Sequence, residues 1–257
     1  MARRWLILVG FSVGLALIFV VWQQGIFEPA ETLPDFAGYS QVSEKKQAFF
    51  DYLLPRVTAA NQQVRAERAR LQALKQQLEE GDSLSSDLST ESVAFLRQSS
   101  SRYRVPNRDS LSQQEVLNQL MDRVDEIPPS LVLAQAANES AWGTSSFARH
   151  QLNLFGIWCY TENCGVVPRH RAEGATHQVA AFESVQDCID YYLLNLNSHP
   201  AYSTLRALRS DLRAKQEILS GERLAPGLLK YSQRGQLYVD ELIEMIRFNH
   251  LDRLDKA

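Results

Sequence analysis

The chain has 257 residues, of which 45% are hydrophobic and 22% charged, and a formal net charge of −3. That length holds one or two domains. With 27 Lys and Arg against 30 Asp and Glu, no basic stripe is available to displace counterions, which argues against nucleic acid as the main partner.

Arg3 and Arg4 precede 18 uncharged residues, 5–22, bracketed by Trp5 and Trp22. At helical rise such a run spans roughly 27 Å, close to the hydrocarbon core of a bilayer. Tryptophans suit both interfaces, and the arginines hold the amino terminus in the cytoplasm. Residues 1–24 are therefore expected to be a cytoplasmic stub and transmembrane anchor. A cleaved signal peptide is the rival reading, but no small-x-small cleavage site follows Trp22. Both readings put the bulk of the chain outside the cytoplasm.

Residues 25–110 read as a spacer and helical arm with a serine-rich linker. Pro29 and Pro34 interrupt an aperiodic spacer. Helix formers dominate residues 41–80. There Phe49, Phe50, Leu53, Leu54 and Val57 make an apolar patch, with a break or bend expected at Pro55. Ala60, Val64, Leu71, Leu74 and Leu78 continue at helical spacing. The stripe is too short and irregular for a coiled coil, so an arm packed on the rest is preferred to a stalk. A short helix at 90–97 interrupts the serine-rich stretch, and an amphipathic helix follows over 113–125.

Residues 128–143 are an apolar, alanine-rich run that opens on two prolines and ends at Gly143. Proline suits the first turn of a helix, and glycine a left-handed stop. Leu131, Ala134 and Ala137 are spaced as a buried face. Glu139 then falls in the last turn of a buried helix. Burial and the negative end of the helix dipole both favour its protonated form. A carboxylic acid kept neutral near pH 7 is what a general acid in glycoside cleavage requires. The alternative is a glutamate that caps a helix or pairs with an arginine.

Short strands are expected at 166–167 and 178–182, forming a small β-hairpin. Cys159 and Cys164 are close enough to close a short disulfide loop in an oxidising compartment. Cys188, in an apolar helix pattern, reads as a buried free thiol. Helices are expected over 185–197, 201–209, 211–220 and 236–249. The fold class is mainly α with a small β-hairpin, a lysozyme-like layout.

The segment Gln135-Ala136-Ala137-Asn138-Glu139-Ser140-Ala141-Trp142-Gly143-Thr144-Ser145, followed by Asn153-Leu154-Phe155-Gly156-Ile157, resembles the paired signatures of bacterial glucosaminidase domains of the Bax type, which cut peptidoglycan. The resemblance runs over about residues 130–249, with a weaker echo at 45–55. It implies a catalytic domain over 111–257 that acts on peptidoglycan glycan strands; with the anchor expected at 5–22, that domain is expected at the inner membrane, facing the periplasm. The implied activity is an endo-β-N-acetylglucosaminidase with Glu139 as general acid.

The same resemblance points to Glu173 as a hairpin carboxylate, to Tyr231 as an active-site tyrosine and to Tyr238 as a supporting one. Glu162 and Glu183 are weaker candidates on the same surface. Trp142, Asn153, Phe155, Trp158 and Tyr202 are candidates to line a sugar site, which aromatic faces and amides suit. No cofactor is expected, and the five scattered histidines suggest no metal site. Alternatives are a lytic transglycosylase or lysozyme cutting after N-acetylmuramic acid, and a non-catalytic wall-binding scaffold.

Overall fold

Helix α1 (Val42–Glu80) is one uninterrupted element that passes through Pro55. An interior proline costs about 3 kcal/mol. Phe49, Phe50, Leu53 and Val57 are buried around it, and each such side chain contributes about 1.5–3 kcal/mol. Burial therefore outweighs the break expected at Pro55. The computed structural model describes residues 31–80, 88–168, 171 and 174–256. The apolar segment 5–22 lies outside these residues, and among the described residues no helix is long and apolar enough to cross a membrane.

The other helices are α2 (Thr90–Arg102), α3 (Gln113–Arg123), α4 (Pro129–Ser140), α5 (Ser146–Gln151), α6 (Val185–Ser198), α7 (Ser203–Ala214), α8 (Gly221–Leu224) and α9 (Gln236–Phe248). Helix α1 packs against α3, α4 and α6. The Asn61 side chain ties it to the entry of α4: Nδ2 donates to the Ile127 carbonyl at 2.8 Å, and Oδ1 accepts from the Ile127 N–H at 3.1 Å. One apolar core surrounds α4, and a second joins the later half of α1 to α2 and α3. Thr32–Ala257 forms one compact unit, arm included.

Two polar devices fix α4 lengthwise. At its start, Asp255 accepts from Ser130 N–H at 3.0 Å, Ser130 O–H at 2.6 Å and Gly221 N–H at 2.9 Å. These bonds satisfy otherwise unpaired amides and place a carboxylate at the positive helix end. In the segment leading into α4, Arg209 of α7 is 1% exposed. It donates to the carbonyls of Asp122 (3.1 Å), Arg123 (2.9 Å), Asp125 (3.0 Å) and Glu126 (3.3 Å), and to Asn197 Oδ1 (2.6 Å). Burial alone would raise the Asp125 carboxyl, but the Arg213 hydrogen bonds and the charges of Arg209 and Arg68 bring it below its ordinary value.

Helix α7 corrects the two helices expected over 201–209 and 211–220. Leu205, Arg206, Arg209 and Leu212 keep a single buried face across the expected gap. The chain then turns out at Gln216, which takes φ 55°.

The expected hairpin is a three-stranded antiparallel sheet. Strands β1 (Trp158–Cys159), β2 (Gly165–Val166) and β3 (Gln178–Ala180) lie in the order β1-β3-β2. β1 has only two residues, too few to show alternation in the sequence. The Cys159–Cys164 disulfide joins β1 to the turn before β2. Cys188 is free and buried, and burial pushes its thiol up to about 12.

Candidate active site

From Leu131 to Ala137 every residue of α4 is buried. Glu139 is its penultimate residue. The helix ends in three successive left-handed residues: Ala141 at φ 50°, Trp142 at 61° and Gly143 at 76°. The stop expected at Gly143 thus begins two residues earlier, on residues with a Cβ. Such a conformation costs roughly 1–2 kcal/mol per non-glycine residue. Ser140 holds the turn: its hydroxyl donates to the Ala136 carbonyl at 2.6 Å and accepts from the Gly143 N–H at 2.7 Å. Trp142 packs edge-on against Phe49 and Phe50 of α1, at 5.7 and 5.3 Å between ring centres. A Cβ at Gly143 would come within 2.6 Å of Phe36.

Glu139 is half-buried. Burial raises its carboxyl above the ordinary range, opposed by a hydrogen bond from Tyr238 and by the charge of Arg234. Four tyrosines feel its charge: Tyr192, Tyr202, Tyr231 and Tyr238. Burial first, and Glu139 in addition, push all four phenols up, Tyr202 to about 12. They are neutral hydroxyls at every pH where a glycosidase works. The Tyr231 and Tyr238 rings stack at 5.7 Å, and Tyr202 lies 5.9 Å from Tyr231.

The Phe-Gly-Ile loop forms the facing wall. Asn153 holds it from beneath and is 2% exposed. Its Nδ2 donates to the Ile157 and Ala180 carbonyls, each at 2.9 Å, and its Oδ1 accepts from the Phe155 and Ile157 amides at 3.3 and 3.0 Å. Phe155 is buried and stacks on Tyr192 at 3.9 Å. Its carbonyl accepts from the Tyr231 hydroxyl at 2.7 Å. Gly156 follows at φ 62° beside Glu139.

The residues expected from sequence therefore fall into three positions. Glu139, Tyr202, Tyr231 and Tyr238 converge. Asn153 and Phe155 lie beneath the surface, where they shape the loop. Trp158 is 52% exposed and stacks on His177 at 4.2 Å, while Trp142 is half-buried against α1. Glu173 lies outside the described residues, and Glu162 and Glu183 are exposed.

Asn138 and Trp142 line an open groove of about 930 Å³ with Lys46, Arg234, Met245 and Phe248. A second cavity, of about 620 Å³, lies between α3 and α7 and is lined by Asp122, Arg123 and Arg206. Neither Glu139 nor any of the four tyrosines lines either space, so chemistry rather than size assigns the site. Two members of the cluster carried no assigned role in the sequence reading, Gln135 and Tyr192. Gln135 does leave a signal: it is an amide inside an apolar run, one helical turn before Glu139.

The family model described as mannosyl-glycoprotein endo-beta-N-acetylglucosaminidase matches residues 114–251. That span contains the whole tyrosine cluster, both signatures and the sheet. This chain belongs to the glucosaminidase family. It is also 33% identical over 220 residues to the protein named Protein bax from Escherichia coli (strain K12), a match covering 86% of this chain and 75% of that one. No solved structure matches. Helix α1 lies outside the matched glucosaminidase span, yet supplies Lys46 to the groove and the aromatic support for Trp142.

Proposed function

We propose that this protein is a peptidoglycan hydrolase that cuts the β-1,4 bond on the reducing side of N-acetylglucosamine. The observation that carries the reading is Glu139: a half-buried carboxyl held up by desolvation, at the end of a rigid helix and among neutral hydroxyls. Family membership supports a glycosidase, and a substrate in the cell wall supports an envelope location.

Glu139 gives its proton to the glycosidic oxygen as the bond from that oxygen to C1 breaks. Glu173 or the substrate's own acetamido oxygen then bonds to C1, and water releases the sugar while returning a proton to Glu139. Tyr231 supports the acetamido route. Its hydroxyl hydrogen is taken by the Phe155 carbonyl, so its oxygen is left to accept an acetamide N–H. That bond would make the acetamido carbonyl the better nucleophile. Trp158 offers the exposed aromatic face for a sugar ring.

Glu139→Gln is expected to lower the rate on purified cell walls by about 10²–10⁴-fold, the usual share of a general acid. Full activity in that variant would overturn the reading. One observation favours a second reading, a lytic transglycosylase cutting after N-acetylmuramic acid: among the described residues no other carboxylate acts on the titration of Glu139.

Residues 5–22 are proposed as an uncleaved inner-membrane anchor. The support is their uncharged length and the arginines before them; the Cys159–Cys164 disulfide suits an oxidising compartment. Membrane fractionation with a carbonate wash tests it, since release into the soluble fraction contradicts an anchor.

A further inference from the structure

Gln135 sits on α4 one turn before Glu139 and has no exposed surface. Its amide bridges two tyrosines from different elements. Oε1 accepts from the Tyr192 hydroxyl of α6. Nε2 donates to the Tyr238 hydroxyl of α9 at 2.8 Å. Tyr238 is in turn a polar neighbour of the Glu139 carboxylate, whose titration it lowers.

The direction of this chain follows from counting donors. A phenol has one hydrogen. The Tyr238 oxygen receives a hydrogen from Gln135, so its own hydrogen is free for Glu139. Were the amide reversed, Oε1 would face Tyr238 and take that hydrogen. Nε2 would then donate to Tyr192, whose own hydrogen would lose its acceptor inside the core. Gln135 is the one side-chain partner of the Tyr192 hydroxyl among the described residues. Leaving a buried donor unmade costs about 1–3 kcal/mol, so Tyr192 fixes which way the amide lies.

We propose that Gln135 is a positioning residue: locked by Tyr192, it turns the Tyr238 hydroxyl hydrogen onto Glu139. That hydrogen occupies one carboxyl oxygen, so the acid proton resides on the other, free to meet the glycosidic oxygen. The same bond favours the carboxylate and opposes burial, which keeps Glu139 able to release its proton. The other groups that face Glu139 are Arg234 ahead of α9, Tyr202 ahead of α7 and Tyr231 ahead of α9. Arg234 is held by Glu241, and its charge is unaffected by the amide's direction. The catalytic meaning of this chain rests on Glu139 being the acid; its existence does not.

The test follows the Glu139 carboxyl by carbon-13 NMR titration in the full chain, with its signal assigned by loss in Glu139→Gln. Tyr192→Phe removes one hydroxyl and leaves the ring stacked on Phe155. It frees the amide to reverse and capture the Tyr238 hydrogen. The titration of Glu139 is then expected to move to higher pH, in the same direction as in Tyr238→Phe. The Tyr192→Phe/Tyr238→Phe pair should move it no further than Tyr238→Phe alone. Adding Gln135→Met to Tyr192→Phe should restore the parent titration, because the competing acceptor is gone. A merely structural role for Tyr192 would lower stability without moving the titration. Parent-like titration in Tyr192→Phe, or a rise that adds to that of Tyr238→Phe, would overturn the proposal. Activity of Glu139→Gln is read separately, so an active variant would sink the acid assignment and leave the hydrogen-bond chain to be judged on its own.

Discussion

Gly156 faces Glu139 so closely that a Cβ built on it falls 3.6 Å from Oε2 of the carboxylate. The loop and the helix end therefore share the approach to this carboxylate, which in the proposed mechanism a glycosidic oxygen must enter. Gly156 is also at φ 62°, where a side chain costs roughly 1–2 kcal/mol. Gly156→Ala is expected to lower Tm by a few degrees. It should also lower kcat by on the order of 10- to 100-fold, the effect of a small misplacement at a reacting centre. A lower Tm with unchanged kcat would show that Gly156 serves the turn alone.

The raised Glu139 carboxyl has a consequence for stability. The folded chain holds this proton more tightly than the unfolded chain. That contribution is fully present below the ordinary carboxyl pKa and is lost as pH rises through the raised value. Glu139→Gln removes the loss. Its Tm is expected to exceed that of the parent at about pH 7, with the advantage shrinking toward about pH 4, where the parent carboxyl also becomes neutral. A lower Tm for the variant at neutral pH would contradict a desolvated acid at this position.

Arg209 holds the segment leading into α4 from the far side. Arg209→Met removes a donor from four carbonyls and from Asn197 Oδ1, although the Asp125 carbonyl keeps Asn197 Nδ2 and the Arg123 carbonyl keeps the Asp125 N–H, and it leaves the Asp125 carboxylate less compensated. Breaking a buried pair in this way costs about 3–5 kcal/mol. Arg213, half-exposed on the same carboxylate, should cost about 1 kcal/mol or less when changed to methionine. Denaturant unfolding of the two variants checks the ordering, and equal losses would contradict it.

Helix α4 was legible because its signals are local: two prolines, an apolar period and a glycine. The disulfide was legible from spacing and compartment. The left-handed turn at Ala141 and Trp142 was not, because Ser140, Phe36, Phe49 and Phe50 hold it, three of them from outside the helix. Asn153 and Phe155 have the chemistry of sugar contacts, but side chains distant in sequence bury them. Arg209 and Asp255 act on helix ends that are remote in the chain, and no periodicity records such pairings. The direction of the Gln135 amide depends on Tyr192 and Tyr238, 57 and 103 residues away.

The most direct measurement is mass spectrometry of purified peptidoglycan digested by the protein, with and without borohydride reduction, beside Glu139→Gln. The account predicts new reducible N-acetylglucosamine ends from the parent and none from the variant. Anhydro-muramic ends, or N-acetylglucosamine ends that persist in Glu139→Gln, would contradict it.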